Sequence, residues 1–225
     1  MNNTTHVKQR AIRAAAAALV LGLGLVAAPA YAAQSNPEPL AVTTPTRSEA
    51  LSARQQAIPL IASFMAASES PKLNAALHAG LDAGLTVSEA KESLVHLYAS
   101  AGGPRSLNAL GELLKVVEAR KQRGIQDAPG REPSRANPTG DQLLAIGTAN
   151  QTKISGGPVK TAVTDFAPVI NQFLQTHLFG DIFERDNLDW QSREQATVGA
   201  LAATPGAEPQ LRSHMAARMR VGLPA

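Results

Sequence analysis

Two stretches of this chain lie over one another at constant spacing, and that match limits the fold more than anything else in the sequence. Pro71-Lys72-Leu73, Leu77, Leu81 and Gly84-Leu85 fall on Pro209-Gln210-Leu211, Met215, Met219 and Gly222-Leu223. After one gap, Ala53-Arg54-Gln55-Gln56-Ala57 falls on Ser192-Arg193-Glu194-Gln195-Ala196. Apolar residues four apart, with Pro at the start and Gly at the end, mark a helix. The match covers both helices of a hairpin, so the spacing predicts an all-α helical bundle built from a duplicated unit.

The rest of the pattern fills in this frame. Leu51, Ala57, Ile58, Ile61, Phe64 and Met65 predict a first helix, and a second one carries Leu73, Leu77 and Leu81 and closes at Gly84. Thr86-Val87-Ser88-Glu89 is a capping box, which starts a helix running to about Ser100 with Ala90, Leu94, Leu97 and Tyr98 on its apolar face. Gly102-Gly103 stops it, and Pro104 opens a further helix through Leu107, Leu110, Leu114 and Val117 to Gly124. The first helical unit is thus expected over residues 49–124. Residues 125–140 are rich in Pro, Gly and charge without period and read as a linker. A second unit follows over 141–225. It holds a short apolar-leaning segment from Gln142 to Ile146, a turn at Ser155-Gly156-Gly157-Pro158, a helix capped by Asp165 and a helix begun at Asp189. On the register of the repeat it is incomplete at its C-terminal end, without counterparts of the helices at 86–101 and 104–123. Those helices are therefore expected to cover the apolar stripes of the 191–220 hairpin, within one chain or between subunits.

The first residues read differently. Lys8, Arg10 and Arg13 precede an uncharged run from Ala14 to Ala28, followed by Pro29-Ala30-Tyr31-Ala32. The run is shorter than the roughly 18 to 20 residues of a bilayer span, and small residues stand where a signal peptidase needs them. Residues 1–32 are expected to be a signal peptide cleaved after Ala32, and the proline-bearing 33–48 a flexible tether, which makes the mature protein periplasmic or secreted and free of the membrane. The net charge of the whole chain is +3 and the leader carries three cations, so the mature chain is close to neutral. With no Lys/Arg stripe interleaved with aromatics, nucleic acid is not an expected partner. The chain contains no Cys, which excludes disulfides, thiolate metal sites and thiol peroxidase chemistry of its own.

The segment FGDIFERDNLDWQSREQATVGALAATPGAEPQLRSHMAARMRVGL, from Phe179 to Leu223, resembles the carboxymuconolactone decarboxylase family, relatives of alkyl hydroperoxidase D. GLTVSEAKESLVHLYASAGGPRSLNAL, from Gly84 to Leu110, is similar to the closing helices of the same family. The resemblance covers most of the mature chain outside the linkers. It implies a helical homo-oligomer acting on a small molecule without a metal or organic cofactor, and it does not name the substrate. In the family's thiol peroxidases a glutamate precedes a Cys-x-x-Cys and a histidine in a proton relay. Glu194 and His214 match the glutamate and histidine, whereas Ala207 and Gln210 stand at the cysteine positions. What remains is an acid/base pair of the kind a decarboxylase or lactone-acting member could use.

The residues can also be read without the family. On the helix after Asp189, Glu194 shares a face with Trp190, Thr197, Val198 and Leu201, an unusual setting for a carboxylate. His214 lies beside Leu211, Met215 and Arg218 on its own helix. Counting rises from the Thr204-Pro205-Gly206-Ala207 turn leaves the two at different heights, so a water or small ligand between them is expected; two unrelated polar residues fit the same spacing. Glu194 and His214 are the catalytic candidates, with Arg193 or Arg218 to anchor a substrate carboxylate. Trp190 reads as core or rim packing that can border the substrate. The first unit has Gln55 and Ala76 at the equivalent positions and can do no acid/base work. His78 with Asp82, and Glu92 with His96, are each four apart and could supply two metal ligands; with no third ligand in sight, solvated or capped pairs are the simpler reading. Phe179 to Phe183 with Asp181 and Arg185 could line a pocket mouth. The competing function is a non-catalytic helical assembly protein.

Overall fold

In the computed structural model of the protein, residues 51–223 are described. The expected leader, its cleavage site and the tether lie outside them. The described residues form helices and contain no strand. Helix α1 (Ala53–Ala66) begins with a capping box in which the Ser52 hydroxyl accepts from the Gln55 amide and Gln55 reaches back to the cap. Helix α2 (Ser70–Asp82) starts with Pro71, which needs no hydrogen-bond acceptor in the first turn. The Thr86–Glu89 capping box is formed, but α3 runs only over Val87–His96, and a single turn, α4 (Tyr98–Ala101), completes the stretch expected to reach Ser100 as one helix. Gly102, with φ 91°, then opens α5 (Gly103–Gln122).

Residues 125–140 carry no helix, yet they run as a strap pinned to α3. The Val87 and Ser88 amides donate to the Ala128 and Pro129 carbonyls at 2.9 Å, and Lys91 meets Glu132 at 2.5 Å. Beyond the strap, the segment expected to be short is a full helix, α6 (Asp141–Ser155), closed by Gly156 in the left-handed region. Thr161 caps the next helix, α7 (Ala162–Phe166), and Asp165 lies inside it, so the helix through Val169 to His177 expected to be capped by Asp165 instead starts behind Ala167 without a side-chain cap. Pro168 starts a separate short helix, α8 (Pro168–Phe173), because its ring cannot continue the preceding turn. The chain then widens into a π-helical segment, π1 (Leu174–Ile182), before α9 (Trp190–Ala202) and α10 (Glu208–Arg220). The Asp189 side chain accepts from the Ser192 amide at 2.6 Å and caps α9 as the sequence predicts.

The two hairpins that match in sequence, α1–α2 and α9–α10, end in the same closure. Gly84 and Gly222 both have φ 91°. Leu85 and Leu223 donate to the carbonyls five residues back, at 2.9 Å and 3.1 Å, while the two glycines bond three residues back. This double bond pattern satisfies the last carbonyls of a helix and needs a residue tolerant of positive φ, so Gly stands at both positions.

These hairpins share one core. Helix α1 lies along α9, and Ala196 and Ala200 of α9 belong to the same apolar cluster as Ile58, Ile61, Leu77, Leu94 and Leu113. The approach is close at Gly199, where a Cβ would collide with the Pro59 backbone. Helices α2, α3 and α5 cover the other side of α1. Outside its own hairpin, where it packs on α10, α9 is covered chiefly by α1, with smaller contacts from α3 and α4. Leu107 and Leu114 of α5, expected to close over the hairpin, instead lie on an exposed face. A second cluster, Ile154, Leu178, Phe179, Ile182, Phe183 and Ala217, joins α6, π1 and α10. There Gly147 allows α6 to meet π1 backbone to backbone, because a Cβ at that position would run into the Gln175 carbonyl. All the described residues belong to one compact unit. None of the described helices is long and apolar enough to cross a membrane.

Candidate functional site

Helix α9 is buried nearly all round although it carries Arg193, Glu194, Gln195 and Thr197 in succession. Buried polar groups need partners; neighbouring elements supply them for Glu194 Oε2, Arg193 Nη2 and Thr197, while among the described residues Arg193 Nε and Nη1, Glu194 Oε1 and both amide atoms of Gln195 have none.

On the side facing α10, Glu194 Oε2 lies 2.8 Å from His214 Nδ1. The carboxylate is fully buried and the imidazole about one-fifth exposed. The water or ligand expected between them is not needed. Glu194 lies eight residues before the end of α9 and His214 six after the start of α10. At about 1.5 Å per residue their heights differ by only about 3 Å, which a glutamate side chain spans. Glu194 Oε1 accepts no hydrogen bond from the described residues. His214 stands on the wall of a cavity of about 580 Å³ between α6, π1 and α10. Its Nδ1 is turned to Glu194 and none of the described residues bonds Nε2, so Nε2 is the ring atom left for the cavity. Ile154, Leu174, Leu178 and Phe179 make that wall mostly apolar, while Gln151, Gln210, Ser213 and Arg220 give it polar points. This is the composition of a small-molecule site.

On the side facing α3 and the segment before α9, Arg193 is fully buried and its Nη2 donates to Glu92 Oε1 at 3.1 Å and to the Arg185 carbonyl at 2.6 Å. Glu92, itself fully buried, also accepts both arms of the Arg185 guanidinium at 2.8–3.0 Å and Asn187 Nδ2 at 3.2 Å. Burial alone would raise the Glu92 carboxyl; the Arg185 fork, then Arg193 and Asn187, outweigh it and hold the group below its ordinary value. Next to this network His96 Nε2 lies 2.8 Å from Thr197 Oγ1. The Thr197 hydroxyl donates to the Arg193 carbonyl at 3.0 Å, so it accepts from His96. Burial, and then the charges of Arg193 and His214, push the His96 imidazole well below 6.5 and keep it neutral.

Of the residues the sequence singled out, Glu194 and His214 are therefore brought together at a cavity. Arg193 is turned inward and held by Glu92, a structural partner and not a cavity cation. Arg218 is not on the cavity wall, whereas Arg220, two residues on, is. Trp190 packs edge to face on Phe183 at 5.5 Å, donates to the Phe183 carbonyl and carries Lys153 over its ring at 4.6 Å, away from the wall. The Cys-equivalent positions diverge: Gln210 lines the cavity, and Ala207 precedes α10. The two suspected metal pairs are otherwise engaged. Arg120 bonds Asp82 at 2.8 Å and approaches His78, and Glu92 belongs to the arginine network. Among the described residues no group of three His, Asp or Glu is placed to hold a metal. Phe179 reaches the cavity wall, Phe183 is core, and Arg185 is held by Glu92. Sequence spacing missed Arg220 and Gln151 as wall residues, because their neighbours come from segments far apart in the chain.

Comparisons with known protein families and with curated proteins each find no match to this chain.

Proposed function

We propose that the protein is an exported, cofactor-free acid/base enzyme of the carboxymuconolactone decarboxylase type, acting on a small molecule such as a lactone. The observation that carries this reading is the fully buried Glu194 carboxylate set 2.8 Å from His214 Nδ1, with the ring on the wall of a cavity of about 580 Å³. A carboxylate behind Nδ1 fixes the tautomer and stabilises the imidazolium formed when Nε2 takes a proton. In a decarboxylation, the electron pair of the breaking C–C bond is left on the substrate as CO₂ departs. The carbon that receives it takes its proton from protonated Nε2, with Glu194 balancing the charge until that transfer. In a lactone shift, neutral Nε2 removes a proton from one carbon and returns it to another. Arg220 is the wall cation able to meet an anionic group. With Ala207 and Gln210 at the cysteine positions, turnover of hydroperoxides by a thiol route is disfavoured.

A panel of lactones offered to wild type, Glu194→Gln and His214→Ala tests this. Turnover by wild type with losses of 10²-fold or more in both variants is expected; equal rates in all three would remove the site. The proposed export is read separately, as release of a chain beginning at Ala33 into the periplasm of a Gram-negative host. Full-length chain retained in the membrane would reject it.

One observation favours the second reading, a helical assembly or binding protein. Helix α7 packs against α8 and presents Phe166, 92 % exposed, beside Val163 and Val169. An outward apolar face of this kind suits association with further copies of the chain, which is compatible with either function.

A further inference from the structure

On the other side of π1 from His214 there is a second cavity, of about 530 Å³, lined chiefly by α4, α8 and π1. Leu174 and Leu178 border both cavities, so π1 is the wall between them. It too has a His/carboxylate pair, more exposed than the first, with the His177 and Asp181 side chains 48 % and 36 % exposed against 21 % and 0 % for His214 and Glu194. Asp181 Oδ2 lies 3.2 Å from His177 Nδ1, and His177 stands on the wall. Asn137 Nδ2 donates to the Asp181 backbone carbonyl at 3.3 Å, and the Tyr98 ring meets the imidazole edge to face at 5.3 Å. Nothing in the proposed acid/base reaction uses these groups.

We propose that this cavity is a second small-molecule site, and that its ligand is a neutral, flat apolar molecule bearing one hydroxyl, of the phenol class. With Nδ1–H donated to the Asp181 carboxylate, Nε2 is the ring nitrogen left to accept, which calls for a hydroxyl donor on the ligand. The aromatic faces of Tyr98 and Phe173 suit a ring. Gly103 keeps its stretch of wall flat: a Cβ there would sit 3.2 Å from the Tyr98 ring. No Lys or Arg lies on the wall, so nothing compensates an anionic ligand, and Asp181 disfavours one.

The test is titration of the ¹⁵N-labelled protein with 2-naphthol, its methyl ether and naphthalene-2-carboxylate, followed by amide shifts. The expected result is saturable change at Tyr98, Gly102, Gly103 and Phe173, with the methyl ether at least tenfold weaker and the carboxylate weaker still. In His177→Ala the preference for the hydroxyl over the ether should vanish while the thermal transition is kept, and Phe173→Ala should weaken naphthol and ether alike. Equal binding of naphthol and ether to wild type would overturn the proposal, as would tighter binding of the carboxylate. So would changes centred on Ser213 to Ala217, which would place the ligand in the first cavity, or no saturable change. Shifts at these residues that depend on protein concentration without ligand would show a second copy of the chain covering the cavity, and would equally sink it.

Discussion

Helices α1 and α9 open the two hairpins whose sequences can be aligned, and they differ most in what they bury. Helix α1 buries Ala57, Ile58, Ile61, Ala62 and Met65, an apolar face, whereas α9 buries Arg193, Glu194, Gln195 and Thr197 among its alanines. Helix starts explain part of this. On the common register Gln55 and Glu194 coincide, but α9 begins at Trp190, two residues earlier than its counterpart. Gln55 therefore stands in the first turn and uses its side chain on its own N-cap, while Glu194 lies two residues deeper, in the second turn, facing His214. Arg54 and Arg193 coincide too, and both reach α3: Arg54 pairs with Glu89 near the surface, Arg193 with Glu92 in the interior. Similar hairpins thus carry a packing helix in one case and a helix built around buried charge in the other. Stability is forgone in the second unless its polar groups serve chemistry.

That contrast can be broken most sharply at the arginines. Arg193→Met leaves Glu92 with less compensation in a fully buried place, and a loss of about 3–5 kcal/mol is expected. Arg54→Met disturbs a partly exposed pair and should cost about 0–1 kcal/mol. Chemical denaturation of both variants measures the difference, and equal losses would erase the distinction between the helices.

A smaller effect is expected from alanine at two glycines. At Gly199 the new Cβ meets the Pro59 backbone, which cannot give way without separating α1 from α9, and a loss of about 3 kcal/mol follows. At Gly80 of α2 the Cβ comes within 3.0 Å of Ile61 Cδ1, the end of a side chain that can turn. The gain in helix propensity offsets that strain, so Gly80→Ala should stay within about 1 kcal/mol of wild type. Thermal unfolding of the two variants side by side reads the comparison.

The smallest expected effect is a pH slope. The unfolded chain takes up a proton at His96 near pH 6.5, while the folded ring is held neutral well below that value. Stability from this group is therefore fully present above pH 6.5 and falls as pH drops below it, by up to about 1.4 kcal/mol per pH unit. The Glu92 contribution is lost only below its ordinary value of 4.5, outside this window. Unfolding free energy measured from pH 7 to 5 should lose this component of its slope in His96→Gln, and an unchanged slope would mean that His96 is protonated in the fold.

Several features were legible in the sequence because they are local. The Thr86–Glu89 box, the Asp189 cap and the Gly84 and Gly222 closures each depend on a few neighbouring residues, and the structure has all of them. The pairing of Glu194 with His214 was legible only as far as the hairpin was, since the loop decides their relative height. Helix α6 looks short in the sequence because few of its residues are strongly apolar; what seats it is the absence of a side chain at Gly147. Asp165 is a strong cap former and suggests a helix start at that point, but the extra short helix α7, capped by Thr161, takes Asp165 into its own last turn. The Glu92–Arg193 contact joins residues 101 apart in the chain, and no spacing rule points from one to the other.

The hydrogen bond from His214 Nδ1 to Glu194 is the center of this account, and the ¹⁵N chemical shifts of the imidazole ring measure it directly. The account predicts that neutral His214 carries its proton on Nδ1 and leaves Nε2 bare toward the cavity, and that Glu194→Leu returns the proton to Nε2. A wild-type ring protonated on Nε2, or a tautomer indifferent to the loss of the Glu194 carboxylate, would contradict it.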